Sequence, residues 1–208
     1  MITNFNEFTN IGVICEGQTE INFIKVLNKK YFNIKNISLK PVSLGGNVSI
    51  ERVVNFASKL DFNIITTFID FYGFKNKNQK NVEDIEKKLK EQFNKINSNK
   101  NKIFIPYLQL HETEALWFSS IDTIIKVKNA DEKQKISLKE IEKNYKTPED
   151  INDSYETAPS KRLEKIFPDY AKIIDGNAIF NNTSLALIKE KCPRFNNWLT
   201  EIEQITKK

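Results

Sequence analysis

Ile11-Gly-Val-Ile-Cys-Glu-Gly-Gln-Thr-Glu20 holds a strand, a turn and the start of a helix within ten residues. The apolar run Ile11 to Cys15 breaks at Glu16 and Gly17. Thr19 then opens a segment with Ile21, Ile24, Leu27 and Tyr31 at helical spacing. A short apolar run, a turn signal and a 3.6-residue period predict a buried strand followed by an amphipathic helix. In an open α/β sheet, ligands sit in the crevice outside the carboxyl ends of the strands. A carboxylate just past the strand, Glu16, is therefore placed for chemistry. Thr19 and Glu20 are expected to cap the helix.

The same alternation continues outward. Ile37 to Leu44 predicts a second strand, and Pro41, which donates no ladder hydrogen bond, puts it toward a sheet edge. Ile50, Val53, Val54, Ala57 and Leu60 mark a helix. Asn63 to Asp70 is rich in β-branched and aromatic residues and again ends on a carboxylate. Phe71 to Asn81 reads as a loop, and Val82 to Lys95 as a charged helix with Val82, Ile85, Leu89 and Phe93 on its inner face. Lys102 to Leu110 predicts a fourth strand that runs into His111-Glu-Thr-Glu-Ala-Leu-Trp-Phe118.

Strands alternating with helices in this way predict an α/β fold, a parallel four-stranded sheet flanked by helices and joined by right-handed crossovers. Residues 1–120 form this core, and 121–208 a helical C-terminal region packed on it. In that region Ile121 to Lys128 reads as helical, and the capping box Ser137-Leu-Lys-Glu140 starts a helix ending near Tyr145. Thr147-Pro148 opens another turn of helix. Ser160 is placed to cap a helix through about Ile166, a short helix lies around Tyr170 to Ile174, and Pro193 divides a closing pair from Ser184 to Ile205.

With 208 residues, 39% of them hydrophobic, the chain can build a core as one domain, or one domain with an appendage. No apolar run approaches the roughly 20 residues that a bilayer requires, and Met-Ile-Thr-Asn-Phe-Asn lacks the regions of a signal peptide. A cytoplasmic protein with no membrane association is expected. Cys15 and Cys192 lie far apart, there is no CxxC and only one histidine, so neither a disulfide framework nor a zinc site is expected. The net charge of +5 comes from lysines spread along helices, which is the pattern of a solvated surface. Arginine is confined to Arg52, Arg162 and Arg194. A guanidinium binds phosphate in a fork that lysine cannot copy, so an arginine in a polar motif carries more weight.

Glu16, Asp70, Glu112 and Glu114 each follow a predicted strand, which in a parallel sheet brings them to one edge. Ionised carboxylates share a small volume only when cations offset their repulsion. Hard oxygen donors of this kind suit Mg2+ or Mn2+, often completed by a substrate phosphate. The pattern predicts a metal-dependent phosphotransfer or phosphodiester-cleaving site. Glu112 and Glu114 point apart on a helix but share a face in an extended segment. His111 is a candidate catalytic proton shuttle or substrate contact, or equally a structural hydrogen-bond partner. Ser160, Lys161 and Arg162 combine a helix N-terminus with two positive charges. That suits a phosphate, though an ordinary cap with two exposed bases fits equally. Trp117 and Phe118 read as core.

Five motifs, in this order, resemble a bacterial family catalogued as a domain of unknown function, number 4276. They are Cys-Glu-Gly-Gln-Thr-Glu from Cys15, Ile-Asp-Phe-Tyr-Gly from Ile69, Tyr-Leu-Gln-Leu-His-Glu-Thr-Glu-Ala-Leu from Tyr107, Glu-Thr-Ala-Pro-Ser-Lys-Arg from Glu156, and Cys-Pro-Arg-Phe-Asn-Asn-Trp-Leu from Cys192. That family is similar to the Toprim fold of topoisomerases, primases and related nucleases. The resemblance implies a Toprim-like core that binds magnesium and cleaves phosphodiesters in DNA or RNA, with Glu16 as the strand-end glutamate and Asp70 as the first of two aspartates. Tyr72 stands where the second aspartate is expected, so Glu112 or Glu114 would supply that carboxylate. The resemblance also implies an ATPase partner within a phage-defence module, and it admits a homodimer. Two other classes compete: a non-catalytic subunit that regulates an ATPase, and a small-molecule phosphohydrolase.

Overall fold

The computed structural model describes residues 8–74, 81–99, 101–151 and 155–207. Strand β1 (Thr9–Cys15) passes through Glu16 and Gly17 into α1 (Gln18–Leu27), which ends in a π-helical turn over Asn28–Phe32. Strand β2 (Ile37–Ser43), helix α2 (Ile50–Lys59), strand β3 (Ile64–Asp70), helix α3 (Val82–Ile96) and strand β4 (Ile103–Ile105) follow. The sheet order is β2-β1-β3-β4 and every adjacent pair is parallel, as the alternating pattern predicts. Strand β2 lies at an edge, consistent with the missing donor of Pro41.

The chain forms two compact units. The first holds the residues up to Ile69, Gly73–Leu108 and those from Glu201 onward; the second holds Asp70–Tyr72 and Gln109–Thr200. In the first unit Ile11, Val13, Ile14 and Cys15 are all fully buried, so β1 from Ile11 onward is an apolar run with no polar alternation. Helices α1 and α2 bury Phe23, Ile24, Leu27, Val53, Val54 and Ala57, and α3 buries all four expected residues, Val82, Ile85, Leu89 and Phe93. Phe23 stacks on Phe68 with ring centroids 4.9 Å apart, and Phe93 lies 4.7 Å from Phe104.

The expected fourth strand over Lys102 to Leu110 is in fact two short strands, β4 and β5 (Leu108–Gln109), the latter also pairing with β3. Pro106 divides them because it has no N–H for the ladder. Two threonines of β3 take over at the break. Thr66 Oγ1 donates to the Ile105 carbonyl at 2.6 Å, while Thr67 Oγ1 donates to the Tyr107 carbonyl at 2.7 Å and accepts from its N–H at 2.8 Å. Thr67→Val keeps the shape and removes the hydroxyl, so it is expected to cost about 1–3 kcal/mol in urea unfolding. A change within about 0.5 kcal/mol, the range of a neutral surface substitution, would contradict this role.

The second unit contains α4 (Ile121–Lys128), α5 (Glu132–Asn144), α6 (Pro159–Ile166), α7 (Lys172–Asn182) and α8 (Leu185–Lys191), and α9 (Pro193–Ile205) begins in it. Three expected boundaries differ. Helix α5 starts earlier than the Ser137 box suggests: Asp131 caps it, accepting from Gln134 N–H at 2.8 Å while Gln134 Oε1 accepts from Asp131 N–H at 2.9 Å. Ser160 is not a cap, because α6 begins at Pro159 after Ala158 and Ser160 lies inside the first turn. The short helix expected around Tyr170 to Ile174 is α7, which runs on to Asn182 through Gly176. At Gly176 the helix admits Trp117, whose Nε1 would stand 3.2 Å from any added Cβ.

Trp117 and Phe118 are core residues, as expected, and Trp117 packs on Phe180 at 5.6 Å. Glu149 is buried and accepts the N–H groups of Arg194 and Phe195, each at 3.0 Å, at the start of α9. Cys15 and Cys192 are buried thiols. The loop expected over Phe71 to Asn81 begins as a 3-10 turn at Phe71–Gly73, and residues 75–80 lie outside the described residues. Among the described residues, no helix is long and apolar enough to cross a membrane.

Candidate active site

Glu16 directly follows β1, and its backbone is held by the turn beyond β2. Leu44 N–H donates to the Cys15 carbonyl at 2.8 Å, and Gly46 N–H donates to the Glu16 carbonyl at 3.4 Å. The side chain is half-buried, and its pKa is raised, first by burial and then by the charge of Glu20. Glu20 accepts the Gly17 N–H at 2.9 Å, which is the helix-start role expected of it.

The Glu16 carboxylate rests against Gly73, where an added Cβ would stand 2.4 Å from Glu16 Oε2. Glycine is required here for close approach and not for its backbone angles. Gly73→Ala is expected to displace the Glu16 carboxylate while leaving the core, and hence the unfolding midpoint, little changed. A crystal structure of the variant with Glu16 unmoved would refute the contact.

Strand β1 is paired with β3 in parallel, with Cys15 opposite Phe68. Glu16 and Asp70 therefore leave the carboxyl ends of neighbouring strands.

Asp70 belongs to the second unit, as do Tyr72, His111, Glu112 and Glu114. Glu112 occupies the position before the 3-10 helix Thr113–Ser119, all of whose residues are buried. Both glutamates meet one ammonium group. Lys172 Nζ, at the start of α7, is 3.1 Å from Glu114 Oε1 and 3.9 Å from Glu112 Oε1. Burial pushes Glu114 up to about 7; Lys172 opposes that shift and Glu112 adds to it. For Lys172 burial acts downward, but the attraction of Glu114, Glu112 and Asp70 outweighs it and its pKa is raised. Lys172 was not among the expected site residues, because one lysine in a lysine-rich chain carries no local signal.

Glu112 has a second partner: its Oε2 accepts the Ser160 N–H at 2.8 Å. The anion at the start of α6 is thus the chain's own carboxylate. Ser160 is buried, Lys161 pairs with Glu164 at 2.7 Å, and Arg162 donates from Nε to the Thr157 carbonyl at 2.6 Å and from Nη2 to the Tyr145 hydroxyl. Arg52 donates to the carbonyls of Leu44 and Gly46, both at 2.6 Å. These guanidinium groups staple loops. His111 is buried, and its ring is stacked on that of Tyr72.

Among the described residues, no three His, Cys, Asp or Glu side chains are gathered closely enough to hold a metal ion by themselves. Glu112 and Glu114 face Lys172 and the start of α6, which offset their charge. Glu16 and Asp70 are hard oxygen donors at strand ends, and the Glu16 carboxylate lies where a Cβ on residue 73 would stand.

A family model described as "Domain of unknown function (DUF4276)" matches residues 15–203. No curated protein matches the chain. Among solved structures the chain is similar to the C-terminal region of the Xanthomonas campestris pv. campestris OLD protein. The two are 10% identical over 93% of this chain and 98% of that one, with a TM-score of 0.43.

Proposed function

The chain belongs to the DUF4276 family, and from that premise we propose that it is a Toprim-like, Mg2+- or Mn2+-dependent nuclease whose metal ligands are Glu16 and Asp70. The observation that supports this most is the pairing of β1 with β3, which ends two neighbouring parallel strands on carboxylates. Bound there, a divalent ion would polarise a phosphate oxygen and lower the pKa of an attacking water. The chain's own residues do the positioning. Gly73 leaves room for the Glu16 carboxylate, and the turn at Leu44 to Gly46 anchors the Glu16 main chain. Glu112 and Glu114 drop out as ligands and serve to hold Lys172.

The substrate on this reading is a nucleic acid, drawn in part by the surplus of positive charge. A companion ATPase and a role in defence against phage accompany the reading through the family resemblance. A non-catalytic subunit remains the second reading, favoured by Tyr72 in place of an aspartate and by the neutralised pair Glu112 and Glu114.

Calorimetric titration of Mg2+ and Mn2+ separates the two. The wild type is expected to bind, alone or with an uncleavable phosphorothioate oligonucleotide present, and Glu16→Gln and Asp70→Asn are each expected to lose that binding. No binding by the wild type under either condition would overturn the nuclease reading and leave the subunit.

A further inference from the structure

Tyr72 is exposed where most aromatic residues of the chain are buried. Its side chain is 53% exposed, whereas Phe68, Tyr107 and Trp117 are each at most 4% exposed. The ring is nevertheless held in place. It stacks on the His111 imidazole with centroids 5.6 Å apart and planes 18° from parallel, and it meets Phe71 edge-on at 5.6 Å. His111 is itself only 7% exposed, so it forms a fixed backing. A half-exposed ring backed by one neighbour and met edge-on by another contributes little to a core, but it has already lost rotamer freedom that binding would otherwise remove.

Its place along the chain matters too. Tyr72 follows Asp70 by two residues, which span at most about 7 Å, in the same compact unit. That is the scale separating the phosphate of a nucleotide from its base. Aromatic rings next to a phosphate site bind bases by stacking, with little regard to sequence, because every base has a π-face. A base can use such a ring only when it is unpaired.

We propose that Tyr72, backed by His111, is a stacking platform for an unpaired nucleobase beside Asp70, so that the protein prefers single-stranded to duplex nucleic acid. The inference rests on the nuclease reading above and names its substrate class.

The test is fluorescence anisotropy of a short labelled phosphorothioate single strand, its duplex, and a strand with abasic sites, each in Mg2+. Tyr72→Ala is expected to weaken single-strand binding by about 5- to 150-fold, the effect of losing one stacked base, and Tyr72→Phe is expected to bind like the wild type. The duplex and the abasic strand should bind wild type and Tyr72→Ala equally. In Tyr72→Trp the new indole should be quenched on adding the single strand, a signal that the buried Trp117 and Trp198 do not supply. Equal single-strand binding by Tyr72→Ala and wild type would overturn the platform while leaving the nuclease reading intact. Equal weakening on the abasic strand would also overturn it, since the ring would then act only by holding the turn at Asp70. A wild type that binds none of the three would remove the nucleic-acid reading and the platform together.

Discussion

Glu16→Gln and Asp70→Asn are each expected to lower divalent-dependent cleavage of a labelled oligonucleotide by more than about 100-fold. That figure is the upper end of what losing a mere outer partner of a metal ligand costs, and a direct ligand should exceed it. The amide keeps the shape and removes the charge that would hold the ion. For Glu16 the fold should not suffer. Its pKa is raised, chiefly by burial, so its ionised form is the disfavoured one. The stability that this raised pKa confers is present below the ordinary carboxylate range and is lost as pH rises through the folded value. Gln has no such loss. Glu16→Gln should therefore match the wild type in acid and equal or exceed it at pH 8, trading activity for stability as residues at functional sites do. Cleavage within a few-fold of the wild type by either variant would remove that residue from the site. A large drop in the unfolding midpoint of Glu16→Gln would show that the glutamate is structural.

Lys172→Met is expected to destabilise the second unit by about 2 kcal/mol at pH 8 and by much less at pH 5.5. Breaking a fully buried ion pair costs about 3–5 kcal/mol because a charge is left uncompensated. The Lys172 side chain is 38% exposed, so water screens part of its attraction and the lower figure applies. The pH dependence follows from Glu114, whose side chain is 1% exposed and whose pKa is already pushed up to about 7. Lys172 is the main influence holding that value down, and its removal sends the value higher. A folded pKa raised above the unfolded one gives stability at low pH that is lost as pH climbs through the folded value. The deficit of the variant should therefore open between about pH 5 and pH 8, and adding Glu114→Gln should close most of it. Urea unfolding at the two pH values reads this directly, and equal deficits at both would show that Lys172 acts by packing alone.

The strands and most helices were legible because each is a local property. A run such as Ile11 to Cys15 or the inner face of α3 carries its period within a few residues, and Pro41 announces an edge by lacking a donor. Where the expectations failed, a distant partner had changed the meaning of a local signal. Pro106 breaks the last strand, but the break is tolerable because Thr66 and Thr67 of β3 serve its neighbours' backbone groups. The Ser137 box failed for a local reason instead: Asp131 and Gln134, just upstream, form the cap.

The sequence by itself determined that this is an α/β chain with acidic residues at its strand ends, since hydrophobic period and turn chemistry are written residue by residue. Only the tertiary structure decided what each carboxylate meets. A charge takes its role from whatever neutralises it, and those groups lie far along the chain. Lys172 and the Ser160 N–H engage Glu112, with Lys172 also meeting Glu114, whereas Glu16 meets the bare backbone of Gly73.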